Sequence, residues 1–371
     1  MAVISDESKL DFHYVPERLL HREEQMEILH DMLSSVGNGL STHVLIHGNT
    51  GTGKTVTAKK ICQEICKPYK NVEWHRINCM ENRSTKQILQ EILRNFRVFT
   101  TQPDIPKLRS YLLQNEKHLI LILDDADALI EKNEALIYSL TRLSEDLPRK
   151  TYGISLILIT HRNMLYYMNK STLSTFGHNV VQFPPYTKHE LKDIVAQRTQ
   201  MAFIPNTVQG NSIDLIADIA SKYGDARFAI ELLLKAGKVC EKQRMDEVNP
   251  EHVRAAKAFT HSFVTESKLR YLPRQEKILL LAISKKLKDK TYISTSEAEE
   301  SYRLTCEEYG SKPRAHTQFY KYLKDLEKEG CVELTLTHVG GTTHKISIPD
   351  VPTAILSKKL GELLSSPYAY V

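Results

Sequence analysis

Residues 41–67 read STHVLIHGNTGTGKTVTAKKICQEICK, and the order of their parts decides the fold. An apolar run (41–48) suited to a buried strand gives way to a Gly-rich turn. The turn then opens a segment with helical periodicity. From Gly48 to Thr55 the chain satisfies the phosphate-loop pattern. Its glycines let backbone N–H groups turn inward on phosphates, Lys54 can reach the β and γ phosphates, and the Thr55 hydroxyl suits Mg²⁺. Gly51, Thr52, Gly53, Lys54 and Thr55 are therefore the expected contacts for ATP or ADP, with Mg²⁺ as the accompanying cation.

A second stretch, LILILDDADALI (119–130), runs five apolar residues straight into three carboxylates. Like charges at a strand end repel unless a cation meets them. In phosphate-loop proteins an acid at the end of a neighbouring apolar strand helps to hold the Mg²⁺. Asp124 is the first carboxylate after the run and is the expected metal-site partner of Thr55. Asp125 falls where many ATPases place the water-orienting carboxylate, and Asp127 is read as a cap for the helix that follows.

Around these motifs, short β-rich runs alternate with helical patterns. Strands are expected at 41–48, 71–79, 119–125, 153–161 and 179–186, several of them apolar on both faces. That pattern indicates an α/β fold with a parallel sheet covered on both sides. After residue 186 the strands stop and helical patterns take over to about residue 265. The last hundred residues run helix, helix, helix, then two strand-like runs joined across Gly340-Gly341, the order of a winged helix domain. The expected division is a phosphate-loop core over 1–190, a helical lid over 191–265, and a winged helix over 270–371.

Composition narrows the classes. Lys and Arg total 50 against 45 Asp and Glu, a formal +5 that permits an anionic partner without demanding one. The six cysteines include no CxxC pair and no zinc-ligand spacing, which fits a reducing compartment. The first residues, MAVISDESKLDF, lack the apolar core of a signal peptide, and no apolar run is long enough to span a bilayer. The expectation is a cytoplasmic, nucleoid-associated protein with no membrane contact.

The phosphate loop, LDDAD, VVQFPPYTKHELKDIVAQR and YGDARFAIELLLKAGKVCE together resemble the archaeal origin-recognition and cell-division-control initiators, a branch of the AAA+ ATPases. The resemblance covers roughly 14–259, and the C-terminal winged helix agrees in kind. It implies an AAA+ core with a lid, an adenine flanked by the segment around Val15, Pro16 and Arg22, and a pocket completed by Tyr186 and Arg198. It also implies that Arg227, in GDAR, is the lid's sensor arginine. Lys54, Asp125 and Arg227 would then be the catalytic set of a weak ATPase.

Three departures from that family's pattern qualify the catalysis. Asp125 stands where a Glu is usual, one methylene shorter. At the end of the fourth strand the family's Asn is replaced by ITHRN, leaving His161 or Asn163 to substitute. The usual Asp-Pro-Arg stretch reads YMNKSTLSTF, where Lys170 is the nearest cation and a poor match for a bidentate fork. Tight nucleotide binding with slow hydrolysis is the expectation.

Two segments suit DNA. In RAHTQFYKYLKDLEKEG, Phe319, Tyr322, Leu323 and Leu326 share one helical side, while Arg314, Thr317, Gln318, Lys321 and Lys324 face away, as a recognition helix requires. Beside it, Gly340, Gly341, Thr342, His344 and Lys345 form the tip of a candidate wing. From Tyr271 onward, 15 basic side chains barely exceed 13 acidic ones, so affinity must come from clustering. The second segment, RNFRVFTTQPDIPKLR (94–109), lies where the resembled family carries a DNA-touching insertion, with Arg97 and Phe99 its leading candidates. A plain amphipathic helix followed by a Pro-rich loop accounts for the same residues.

The leading reading is an ATP-regulated replication initiator that binds origin duplex DNA, with paralogous initiators and the replicative helicase as expected partners. A winged helix regulator that binds ATP without hydrolysing it is the alternative. A clamp-loader-like machine is a third, disfavoured by the absent intersubunit arginine and by the winged helix.

Overall fold

A computed structural model describes residues 2–81, 84–144, 152–258, 269–270, 272–288, 290–337, 343–348 and 351–365. Its contacts divide the chain into two units. One unit comprises His13–Glu190 together with Tyr223–Ala226, and the other comprises Met1–Phe12, Leu191–Lys222 and Arg227–Val371.

The first unit is built on five parallel strands: β1 (His43–His47), β2 (Val72–Asn78), β3 (His118–Asp124), β4 (Gly153–Thr160) and β5 (Val180–Gln182). They lie in the order β2-β3-β4-β1-β5. Every residue of β3 and β4 is buried, which is why both read as unbroken apolar runs rather than as alternation. Helices α1 (Glu23–Leu33) and α2 (Lys54–Cys66) cover one face, packing on Val44, Ile46, Ile120, Ile122, Ile157 and Ile159. Helices α3 (Thr85–Asn95), α4 (Ile105–Gln114), α5 (Asp127–Arg142) and α6 (Lys170–Phe176) pack on the other, against Leu45, Ile77, Leu119, Leu121, Leu123 and Leu156. Each strand therefore feeds its odd and even side chains to different helical layers.

At the starts of the strands, away from the phosphate loop, two histidines are sealed in. His43 Nδ1 accepts from the Leu156 N–H at 3.2 Å, and His118 Nε2 lies 2.9 Å from Ser155 Oγ. Burial drives both imidazoles down to about 4, aided at His43 by the neighbouring His118 and Arg142.

In the second unit, α7 (Lys188–Ala202, from Leu191 on), α8 (Gly210–Ser221), α9 (Ala226–Lys242, from Arg227 on) and α10 (Pro250–Ala258) form a helical bundle. The first residues of the chain belong with it. Val3 and Ile4 donate backbone N–H groups to Glu241 Oε1 at 2.8 and 3.1 Å, and Ile4 bridges to Phe203.

The C-terminal part of this unit consists of α11 (Arg274–Leu287), β6 (Ile293–Ser294), α12 (Thr295–Glu308), α13 (His316–Lys328), β7 (Glu333–Thr337), β8 (Thr343–Ser347) and α14 (Thr353–Ser365). The three strands lie antiparallel in the order β6-β8-β7, the winged helix arrangement. Two elements add to the helix–helix–helix–hairpin order read from the sequence. β6 is two residues long, too short for any periodic signal, and α14 packs Leu356, Leu360 and Leu364 into the domain core.

A buried arginine keys the winged helix to the bundle. Arg254 of α10 is fully buried, and its guanidinium donates to Ile348 O at 2.8 Å, Lys290 O at 2.7 Å and Glu251 Oε1 at 2.7 Å. Thr353 in turn donates to Glu251 Oε1 at 2.6 Å.

Candidate nucleotide site and DNA interface

The phosphate loop lies between β1 and α2, with Gly48, Gly51 and Gly53 at positive φ. At Gly53, φ +90°, left-handed backbone and close approach coincide. A Cβ there would come within 2.6 Å of Tyr186 Oη. Tyr186 is itself buried, and burial pushes its phenol up to about 12. Lys54 Nζ folds back on the loop and donates to Gly48 O at 2.6 Å and Asn49 O at 2.7 Å. These carbonyls hold the ammonium at the mouth of the loop, where an incoming phosphate oxygen would compete for it.

Behind the loop, Arg22 is almost completely buried. It donates from Nε to Thr52 O at 2.9 Å and from Nη2 to Pro184 O at 2.8 Å, with the Tyr186 ring 3.6 Å from its guanidinium carbon. Burial lowers its pKa, yet its charge is spread over three carbonyls and an aromatic face. The resemblance implies that the segment carrying Arg22 flanks the base; in the structure the side chain of Arg22 also clamps the loop through Thr52 O and Pro184 O. Val15 lies half-buried in the same unit. The short piece Tyr223–Ala226 also closes on the loop: Ala226 N donates to Gly51 O at 3.0 Å, and Asp225 crowds Gly51 Cα. Gly224, at φ +59°, is obligatory here because a Cβ would meet Pro185 Cβ at 2.3 Å. Its signal in the sequence was present in YGDA and PPY, but nothing in either string announced the pairing.

Thr55 Oγ1 donates toward Asp124, 3.1 Å from Oδ1 and 3.0 Å from Oδ2. One hydroxyl and one carboxylate at a phosphate-binding turn form the hard-oxygen set that Mg²⁺ takes when phosphates complete its shell. Among the described residues no cluster of three or more acidic, His or Cys side chains could hold a metal without such help. Asp124 has another partner. Arg76 donates from Nε at 2.8 Å and lies 2.7 Å away through Nη2, both on Asp124 Oδ2.

Asp125 adopts φ +54°, a left-handed conformation that costs a non-glycine residue about 1 kcal/mol. Its carboxylate lies 3.8 Å from His161 Nε2. Asp127 does not cap its helix. Ala126 occupies the cap position without a side-chain bond, and Asp127, the first helical residue, accepts from His161 N at 3.1 Å and meets His161 Nδ1 at 3.0 Å. Of the two residues expected to stand in for the missing Asn, His161 is the one brought to the carboxylates. Asn163 Oδ1 instead accepts from Leu165 N in its own turn. Asn49, Asp125, Asp127, Glu131, His161 and Arg162 line an open cleft of about 560 Å³. Lys170 is exposed at the start of α6.

Two expected nucleotide contacts belong to the helical unit. Arg198 is buried there and donates from Nη1 to Lys9 O at 3.1 Å, while Arg227 is exposed, 5.8 Å from the Phe12 ring.

In the winged helix, α13 has the two-sided character read from its sequence. Phe319, Leu323 and Leu326 are buried and Tyr322 packs beside them, whereas Thr317, Lys321 and Lys324 are exposed and Gln318 is half-buried. Arg314 is exposed just ahead of the helix. On β8, His344 meets Tyr320 Oη at 3.2 Å, and the Lys345 ammonium lies 4.0 Å over the Tyr292 ring. Gly340, Gly341 and Thr342 lie outside the described residues. In the other candidate segment, Phe99 is 82% exposed and Arg97 is exposed at φ +59°. Phe96, three residues before Phe99, is core: its ring packs 4.6 Å from Tyr111 and 4.8 Å from His75.

A parallel sheet with a phosphate loop after β1, an acid ending β3, a helical bundle and a winged helix define an AAA-type ATPase carrying a DNA-binding module. Family models agree part by part: an AAA ATPase domain over 18–157, a Cdc6 AAA+ ATPase-type lid domain over 192–258, and the CDC6 C-terminal winged helix domain over 267–358. The chain is 31% identical over 376 residues to an ORC1-type DNA replication protein of Pyrococcus abyssi, covering 95% of this chain and 89% of that one. ORC1-type DNA replication protein 2 of Saccharolobus solfataricus is likewise 31% identical, over 93% of this chain and 90% of that one. Among solved structures, Cdc6p of Pyrobaculum aerophilum matches with TM-score 0.82 and 30% identity over 98% of this chain and 99% of that one. The Aeropyrum pernix ORC1 protein, solved in complex with DNA, matches with TM-score 0.63 and 25% identity over 97% of both chains. The chain belongs to the archaeal ORC1/Cdc6 family of DNA replication initiators.

Proposed function

We propose that this initiator binds ATP or ADP with Mg²⁺ at the phosphate loop, and that nucleotide state governs its hold on origin duplex DNA. The observation that carries the reading is the approach of Thr55 Oγ1 to Asp124, 3.0–3.1 Å apart across a loop whose glycines leave room for phosphates. Bound Mg²⁺ would neutralise phosphate charge; Thr55 and Asp124 would hold it. Lys54 would exchange its two loop carbonyls for phosphate oxygens, with Gly51, Thr52 and Gly53 lending backbone N–H groups. Tyr186 and the Val15 segment would border the base, and Arg198 and Arg227 would report from the lid. Asp127 would hold the His161 ring, and His161 would orient Asp125 toward the attacking water. Lys54→Ala should weaken fluorescent-ATP binding more than tenfold, and unchanged affinity would remove the phosphate loop from the site.

For DNA, the outward side of α13 with Thr317, Gln318 and Lys321, together with Arg314 just ahead of it, suits the major groove, and His344, Lys345 and the wing residues Gly340, Gly341 and Thr342 suit the backbone beside it. Arg97 and Phe99 offer a second contact. Footprinting on the genomic DNA beside the protein's own gene tests this reading. Lys321→Ala with Lys345→Ala should reduce the salt-dependence slope by about one per lost phosphate contact. A double Arg97→Ala, Phe99→Ala variant should weaken duplex binding and spare ATP binding. A paralogous initiator and the replicative helicase are the partners this role requires, in the cytoplasm at the nucleoid. Among the described residues no helix is long and apolar enough to cross a membrane.

Two observations favour a second reading, an ATP-binding regulator that does not hydrolyse. Asp125 is short for its task and its backbone is strained, and α6 offers only Lys170 where a neighbouring subunit would receive an arginine. Single-turnover hydrolysis with and without duplex separates the two. Asp125→Glu should raise the rate; an unchanged or lower rate counts against the shortened carboxylate as the brake.

A further inference from the structure

We propose that Arg76 is a built-in cation at the magnesium site, competing with Mg²⁺ for Asp124 and making nucleotide binding less dependent on the metal. The inference rests on the nucleotide reading above and concerns a residue outside the phosphate loop.

The placement follows from strand alternation. On β2, Trp74 and Arg76 share the face that carries α2, while Ile77 and His75 point to the opposite helices. The parallel register sets Asn78 opposite Asp124 and Arg76 opposite Ile122, one pleat short of the strand end. From there the Arg76 side chain extends toward the first turn of α2 and reaches Asp124 with two of its nitrogens, at 2.8 and 2.7 Å. Asp124 has 4% of its side chain exposed and Arg76 25%. A carboxylate this deeply buried needs an opposite charge, and Arg76 supplies it before any metal arrives.

Two consequences follow. A divalent cation entering beside Thr55 must share Asp124 with a guanidinium already seated on it, so the site's affinity for Mg²⁺ is lowered. The same guanidinium is a fixed positive charge near the phosphates, so nucleotide retains affinity when the metal is absent. Arg76 is a positioning residue; it is not required to touch the reacting atoms.

The test is a titration of Mg²⁺ into full-length protein with fluorescent ADP, alongside ADP binding in EDTA, for wild type, Arg76→Gln and Arg76→Lys. In Arg76→Gln, half-saturating Mg²⁺ should fall about tenfold, within the usual range of coupling between sites, and affinity in EDTA should fall several-fold. Arg76→Lys keeps the charge and loses the fork, and should lie between. If Arg76→Gln does not fold, a lowered half-saturating Mg²⁺ in Arg76→Lys supports the proposal and an unchanged one overturns it. Unchanged Mg²⁺ dependence in a folded Arg76→Gln overturns it while leaving the nucleotide site intact. Failure of wild type to bind ADP under either condition overturns the nucleotide reading and this inference with it.

Discussion

Gly53 shows how tightly single residues are specified around the phosphate loop. Its φ of +90° suits glycine, and Tyr186 Oη occupies the space a side chain would take. Gly53→Ala therefore meets backbone strain of about 1–2 kcal/mol and a collision with a buried ring. Tm should fall by several degrees and ADP affinity by more than tenfold in equilibrium binding; wild-type affinity would show that Tyr186 yields easily. Such residues differ in how openly the sequence declares them. Lys54 and Thr55 are legible from the phosphate-loop pattern and Asp124 from its place after an apolar run, and the structure brings Thr55 and Asp124 together. Arg76 and His161 are not legible in this way. Their partners lie 48 residues away at Asp124 and 34 residues away at Asp127. Only the sheet order, with β2 beside β3 and β3 beside β4, brings each pair together.

Among the elements, α10 has a role its sequence conceals. PEHVRAAKA reads as an ordinary short amphipathic helix, yet its arginine is completely buried. Arg254→Ala would leave the Ile348 and Lys290 carbonyls and the Glu251 carboxylate without their donor, a loss of about 3–5 kcal/mol. The expected signature is a lower Tm and faster hydrogen exchange in both α10 and β8; a change confined to α10 would mean that the two parts hold together without it. The five core strands were legible because β3 and β4 are buried on both faces. β6 was not legible, since two residues paired to β8 carry no period. Asp127 could be read as a cap or as a support for the neighbouring acids, and the structure excludes the cap: DDAD offers three acids to one helix start, and the sequence does not show that His161 claims the third.

At the scale of the molecule, acid should act through the base of the sheet. An unfolded histidine titrates near 6.5, whereas His43 and His118 are held to about 4. Between those limits the unfolded chain binds more protons, so stability is fully present above about pH 6.5 and falls as pH drops toward 4. The loss should reach a few kcal/mol for the pair. Urea melts from pH 7 to pH 4.5 check it, and a variant with both histidines changed to Gln should flatten the profile. The partition of the chain bears on how the protein can be dissected. Tyr223–Ala226 belongs with the phosphate-loop unit, although it is flanked on both sides by residues of the other. A gene fragment ending at residue 190 would therefore encode the sheet without the strip that backs Gly51 and Pro185. Expressed alone, it should be less soluble and bind nucleotide more weakly than a fragment that retains that strip through a short engineered linker.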